Sequence, residues 1–155
     1  MTIKRLLIAN RGEIASRIIS SAHDMGISCV AIYTEADKDT PYVREADQAF
    51  KLSDSYLNSK EILDIALKSN SDAIHPGYGF LSENAAFANQ VKKLNIKWVG
   101  PSSNAIKKMG DKLTAKEIAI KANVPTLPMT SDPKKANSIG YPIPVSYTHL
   151  RAHET

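Results

Sequence analysis

"IKRLLIANRGEIASRIISSAHDMGISCVAIY", residues 3–33, changes its hydrophobic period twice. Residues 3–9 are a short apolar run ended by Asn10, Arg11 and Gly12, the pattern of a buried strand running into a turn. From Glu13 the apolar positions Ile14, Ala15, Ile18, Ile19, Ala22 and Met25 recur at helical spacing until Gly26, which predicts an amphipathic helix with a glycine stop. Residues 28–33 return to a continuous apolar run and predict a second strand. Strand, helix and strand in this order form a right-handed parallel unit.

Outward from that unit the alternation continues. "QAFKL" predicts a weak strand, and "NSKEILDIALKSN" predicts a helix in which Asn58 and Glu61 stand at capping-box spacing. "DAIHP" is the next strand, "SENAAFANQVKKLN" the next helix with Phe87, Val91 and Leu94 on one face, and "IKWVG" the strand after it. "PSSNAIKKMG" and "DKLTAKEIAIKANV" then predict two consecutive helices. Such alternation gives an α/β fold, a parallel sheet covered by helices on both faces. Beyond Val124, Pro125, Pro128, Pro133, Pro142 and Pro144 suggest a linker or the rim of another domain.

Composition narrows the function classes. The chain of 155 residues is 43% hydrophobic, enough for a real core. Its net charge of +4 comes from 20 basic and 16 acidic residues without a long run, and aromatics make up only 6%. Nucleic acid is therefore not an expected partner. The start has only a short apolar run and no small-residue cleavage pattern, so neither a signal peptide nor a membrane span is expected. The single Cys29 lies in an apolar run and reads as a small core residue of a reducing, cytoplasmic protein.

Three glycine-bearing turns follow strands: "ANRGE", "HPGYGF" and "VGPSS". In a parallel sheet they gather along one edge, beyond the carboxyl ends of the strands, where ligands of open α/β sheets bind. "AIHPGYGFLSEN", residues 73–84, is either a packed tight turn or a place where Gly77 and Gly79 let backbone approach a ligand. The first turn lacks the spaced glycines of a dinucleotide fingerprint. Arg11 and Glu13 clamp an anion or, the preferred reading, pair with each other and cap the helix. His75 hydrogen-bonds backbone or contacts a ligand, and Glu83 caps the following helix. Asp111 is placed to cap a helix beginning at Lys112, where a lysine and helix amides attract one anion such as a phosphate. His149 and His153, four apart, suggest zinc only with a third ligand.

"IANRGEIASRI", "AIHPGYGFLSEN", "VGPSS" and "MGDKLTAK" together resemble the successive hallmarks of biotin carboxylases, over about residues 3–143. The resemblance implies a three-layer αβα, Rossmann-like, pre-ATP-grasp domain over residues 1–110 and the beginning of an ATP-grasp domain over residues 111–143. It implies an ATP-dependent ligase that activates bicarbonate with ATP and magnesium and carboxylates biotin on a carrier protein. Tyr78 and Gly79 inherit a biotin-facing role and Lys112 an ATP-binding one. Expected partners are a biotin carboxyl carrier protein or domain, a carboxyltransferase subunit and, for the full-length enzyme, a second copy.

After "GYPI" the family continues with an apolar pair, an ATP-binding lysine and a glycine-rich loop; here Pro144 interrupts the strand and Ser146 stands at the lysine's place. Most of the catalytic apparatus, including the magnesium-binding carboxylates, is thus expected outside this chain. "SYTHLRAHET" resembles translated sequencing-adapter read-through, so residues 144–155 are expected to be a non-native tail. Two alternatives stay open: a stand-alone nucleotide- or carrier-binding module without catalysis, and a fragment of another ATP-grasp ligase such as carbamoyl-phosphate synthetase.

Overall fold

The structure is a computed structural model that describes residues 2–130 and 132–138. Pro142, Pro144, Ser146, His149 and His153 lie outside the described residues. The chain divides into two compact units between Ile106 and Lys107.

In the first unit β1 (Arg5–Ile8), α1 (Gly12–Asp24), β2 (Ser28–Tyr33), α2 (Pro41–Glu45), β3 (Gln48–Lys51), α3 (Ser59–Lys68), β4 (Ala73–His75), α4 (Ala85–Lys93) and β5 (Lys97–Trp98) follow one another. The strands form one parallel sheet in the order β3-β2-β1-β4-β5. The chain winds outward from β1 in both directions, so β1 and β4, neighbours in the sheet, flank the topological switch point.

Strand periodicity sorts the core. Leu7, Val30, Ile32 and Ile74 face one side, where they meet Ile62, Ile65 and Ala66 of α3 and Phe87 and Val91 of α4. Leu6, Ile8, Cys29, Ala31 and Ala73 face the other, against Ala15, Ile19 and Ala22 of α1 and Tyr42 of α2. Strands buried on both faces need continuous apolar runs, which is why β1 and β2 carry them. Cys29 is a fully buried core residue, and burial pushes its thiol up to about 11.

The helix ends depart from expectation at several points. α1 ends at Asp24, with Met25 at its C-cap and 73% exposed rather than on the apolar face, and Gly26 turns the chain at φ +70°. α4 does not start at Ser82 with Glu83 as cap: Phe80–Glu83 form a 3-10 turn, and Asn84 caps α4 by accepting from the Phe87 amide at 2.9 Å. Leu94 lies beyond α4 and is 38% exposed. Asn58 caps α3 as expected, accepting from the Glu61 amide, but Glu61 accepts in return from the Asn58 side-chain Nδ2 at 3.1 Å, while the Asn58 backbone amide donates to the Ser55 carbonyl. The same carboxylate also accepts from the Ser53 amide and hydroxyl, fixing the loop before the helix.

α5 (Ser103–Gly110) spans the division, and the second unit holds α6 (Lys112–Lys121), an exposed run through Pro125 and Pro128, and a 3-10 turn at Pro133–Ser138. Among its described residues no apolar side chain is buried. Among the described residues no helix is long and apolar enough to cross a membrane.

Candidate functional site

Asn10, the second residue after β1, is completely buried, and its amide explains the "HPGYGF" turn. The side-chain N–H groups donate to the carbonyl oxygens of Pro76 and Tyr78 at 2.7 and 2.9 Å, while Oδ1 accepts from the Arg11 amide at 2.9 Å. One side chain thus clips the turn after β4 to the end of β1, at the switch point. Gly77 makes that approach possible. Its φ is +65°, and a Cβ there would stand 2.5 Å from Asn10 Nδ2 and 2.9 Å from Ile14 Cγ2.

His75 completes the turn from within. Its Nδ1 accepts from the Gly77 amide at 2.9 Å, which leaves the ring proton on Nε2. Burial holds its pKa below the usual value, so the ring stays neutral. The backbone role expected for this histidine is the one observed. Beside it, Gly77 and Tyr78 line a cleft of about 260 Å³ with Ile14 and Arg17 of α1.

The next two residues face outward. Tyr78 is 61% exposed. Gly79 adopts φ 67° and ψ −165°, a region essentially reserved for glycine, with nothing within 4 Å of where a Cβ would project. An exposed aromatic ring beside a bare, open stretch of backbone offers a flat ligand both an apolar face and close main-chain contact.

Phe80 also has a positive φ, +44°, unusual for a bulky residue. Its ring packs on Tyr56 at 5.5 Å between centroids, and Tyr56 donates its hydroxyl to Asp37 Oδ2 at 2.6 Å. Asp37 is the buried centre of this edge. It takes a bidentate pair from Arg11, Nε to Oδ2 at 2.8 Å and Nη2 to Oδ1 at 2.5 Å. The guanidinium and then the Tyr56 hydroxyl hold its carboxyl below the usual range against the cost of burial. Tyr42 shares the network, 2.9 Å from the Tyr56 hydroxyl.

The Arg11–Glu13 pairing expected from sequence is therefore corrected. Arg11 reaches Asp37, 26 positions away, and Glu13 meets Arg17 at 3.6 Å along α1. At the helix start Arg11 is the N-cap but makes no side-chain capping bond, because a guanidinium has only donors and the free helix N–H groups need an acceptor. Asn10, Asp37 and Tyr56 were not singled out in sequence as site residues. A polar residue directly after a fully apolar strand was the available signal for Asn10; nothing local marks Asp37 or Tyr56, whose roles arise from long-range contacts.

Lys112 lies in the second unit as the first residue of α6. Asp111 caps that helix as expected, accepting from the Thr114 amide at 2.7 Å. Within the same unit the Lys116 ammonium donates to the Leu127 carbonyl.

Residues 2–106 match the family described as "Biotin carboxylase, N-terminal domain". Biotin carboxylase 1 of Bacillus subtilis (strain 168) is 48% identical, with 94% of this chain and 35% of that protein covered. The biotin-dependent acyl-coenzyme A carboxylase alpha3 subunit of Mycobacterium leprae (strain TN) is 50% identical over 86% of this chain and 23% of its own length. Among solved structures, the biotin carboxylase domain dimer of Hydrogenobacter thermophilus 2-oxoglutarate carboxylase, in complex with MgADP, ADP and bicarbonate, superposes with a TM-score of 0.85. It is 41% identical, and 92% of this chain and 34% of that one are covered. The chain thus spans between 23 and 35% of the length of these relatives.

Proposed function

From the premise that the chain belongs to the biotin carboxylase N-terminal domain family, we propose that it is the leading part of an ATP-dependent ligase that carboxylates biotin. In the whole enzyme, ATP with magnesium supplies the phosphoryl group that activates bicarbonate, and biotin on its carrier protein receives the carboxyl group.

The observation that carries the reading is the turn at the β1–β4 switch point. Its construction fits a flat bicyclic ligand: Tyr78 is exposed, Gly79 is bare and open, and neither is consumed by internal packing. Tyr78 offers the ring face and Gly79 the close backbone. Asn10, Gly77 and the Asp37 network hold both in place. Lys112, at the start of a capped helix, brings an ammonium group to a position where helix amides also favour a phosphate. The magnesium ligands and most of the remaining catalytic groups belong to a portion of the enzyme outside this chain, so the chain alone does not turn over. The carrier protein, a carboxyltransferase, a second copy in a dimer and a cytoplasmic setting complete the proposal.

A chimera tests it. Residues 1–138 joined to the remainder of the Bacillus subtilis biotin carboxylase are expected to carboxylate free biotin with bicarbonate-dependent ATP cleavage. Tyr78→Ala should raise KM for biotin more than for ATP, and Lys112→Ala the reverse. A folded, dimeric chimera that neither cleaves ATP nor binds it would overturn the assignment.

A further inference from the structure

At the opposite edge of the sheet from the "HPGYGF" turn, three side chains of different metal-binding chemistry converge. His23 lies in the last turn of α1, Cys29 is the second residue of β2, and Asp47 immediately precedes β3. The parallel register, which pairs Val30 with Gln48, sets Cys29 and Asp47 side by side. One ligand atom from each residue lies within 4.8 Å of the other two.

The local geometry has the features of a coordination site. His23 Nε2 is 2.9 Å from Asp47 Oδ2, and that oxygen also accepts the Cys29 amide at 2.7 Å, so the carboxylate is oriented before any ion arrives. The Cys29 sulfur has only long contacts, to the carbonyls of Ile27 at 3.7 Å and Ile19 at 4.0 Å, and no strong competing partner. Access comes from one side. The His23 and Asp47 side chains are 40% and 47% exposed, while Cys29 forms the buried floor. Beside His23 a surface depression is lined by Asp24 and Glu45 together with Arg17, two carboxylates against one cation.

We infer that His23, Cys29 and Asp47 form a zinc site with a fourth position open to water. A thiolate, an imidazole and a carboxylate are the donor set of a borderline-soft divalent ion, and the sulfur disfavours magnesium and calcium. Tetrahedral zinc, with bonds of about 2.0–2.3 Å, sets its ligand atoms roughly 3.5 Å apart. The His23–Asp47 pair, at 2.9 Å, is close to this, and the Cys29 sulfur, within 4.8 Å of both, closes on the ion as it binds. On binding, the Cys29 S–H bond is replaced by a sulfur–zinc bond and the proton passes to solvent. His23 gives up to solvent the Nε2 proton it shares with Asp47, coordinates through Nε2 and carries its remaining ring proton on Nδ1, taken up from solvent where the ring was neutral. The ion ties the end of α1 to the start of the edge strand β3, so its role is to brace that edge. The site lies outside the carboxylation machinery and does not depend on the proposed function.

The test uses the whole chain, stripped of metal and titrated with cobalt and zinc salts. The chain has a single cysteine, so a thiolate-to-cobalt charge-transfer band in the near ultraviolet reports Cys29 alone. Expected are one cobalt per chain, the band, its loss on adding zinc, and no response to magnesium. His23→Gln, at an exposed helix end and compatible with folding, should weaken binding by at least ~10-fold. Cys29→Ser should abolish the band. The pair His149→Ala and His153→Ala should leave it unchanged. Absence of the band in the folded chain, or a band insensitive to both His23→Gln and Asp47→Asn, would overturn the site. So would zinc binding that disappears with His149 and His153.

Discussion

Gly77 and Gly79 sit two residues apart, both at positive φ, yet they are glycines for different reasons. Gly79 is constrained by its backbone alone, whereas Gly77 is pressed against Asn10 and Ile14. Gly77→Ala is expected to cost about 3 kcal/mol, by strain and by displacing a buried amide that satisfies two carbonyls. Asn10→Ala should cost about 2 kcal/mol through the same carbonyls. Because removing the Asn10 amide also removes the atoms a Gly77 methyl would strike, the double variant should lose at least ~1 kcal/mol less than the sum. Gly79→Ala, whose methyl would meet no neighbour, should couple to Asn10→Ala more weakly, through the Tyr78 carbonyl alone. Urea unfolding of the four-member cycles reads both results, and additivity at Gly77 would show that the turn relaxes without Asn10.

The loops after β1, β2 and β3 are joined through Asp37, which receives Arg11 from the first and Tyr56 from the third. Its carboxyl is held below the usual range, so its contribution is present above the unfolded carboxylate value near pH 4 and is lost as pH falls through the lower folded value. Asp37→Asn should cost about 2 kcal/mol at neutral pH, less than a fully buried pair because the Arg11 side chain is 47% exposed. It should also flatten the stability curve below about pH 4. An unchanged acid limb in thermal melts would reassign that limb to other carboxylates. Local elements are legible in the sequence; long-range partners are not. β1, α1 and β2 were legible because apolar period alone distinguishes a two-sided buried strand from an amphipathic helix. Asn58 and Asp111 were legible as caps because capping is local. The short helix Pro41–Glu45 carries too few apolar residues for a period to register, and Glu83 was mistaken for a cap because the 3-10 turn delays the helix to Ala85. The turn itself stood out through its two glycines, whereas the partner of Arg11 lies 26 residues on and leaves no local mark.

At the scale of the molecule the two units differ in how they are held. The first has a core on each face of its sheet, while the described part of the second leaves Leu113, Ile118, Ile120, Leu127 and Met129 exposed. A helix without buried apolar contacts has little beyond its cap and intrinsic propensity to sustain it. The single Trp98 belongs to β5 and reports the first unit only. Heating should therefore remove part of the far-ultraviolet circular dichroism before the Trp98 fluorescence changes. Coincident transitions would show that the two units unfold together.

The clip from Asn10 to Pro76 and Tyr78 spans 66 and 68 positions of chain. During synthesis, then, β1 and Asn10 just after it emerge long before the partner turn exists. Loop closure over such a distance is entropically costly and is made only when β1 and β4 pair, a contact of high order in a parallel sheet. The "HPGYGF" turn thus cannot mature on a nascent chain that holds only the first strand–helix–strand unit. Its formation marks the moment at which the centre of the sheet has closed.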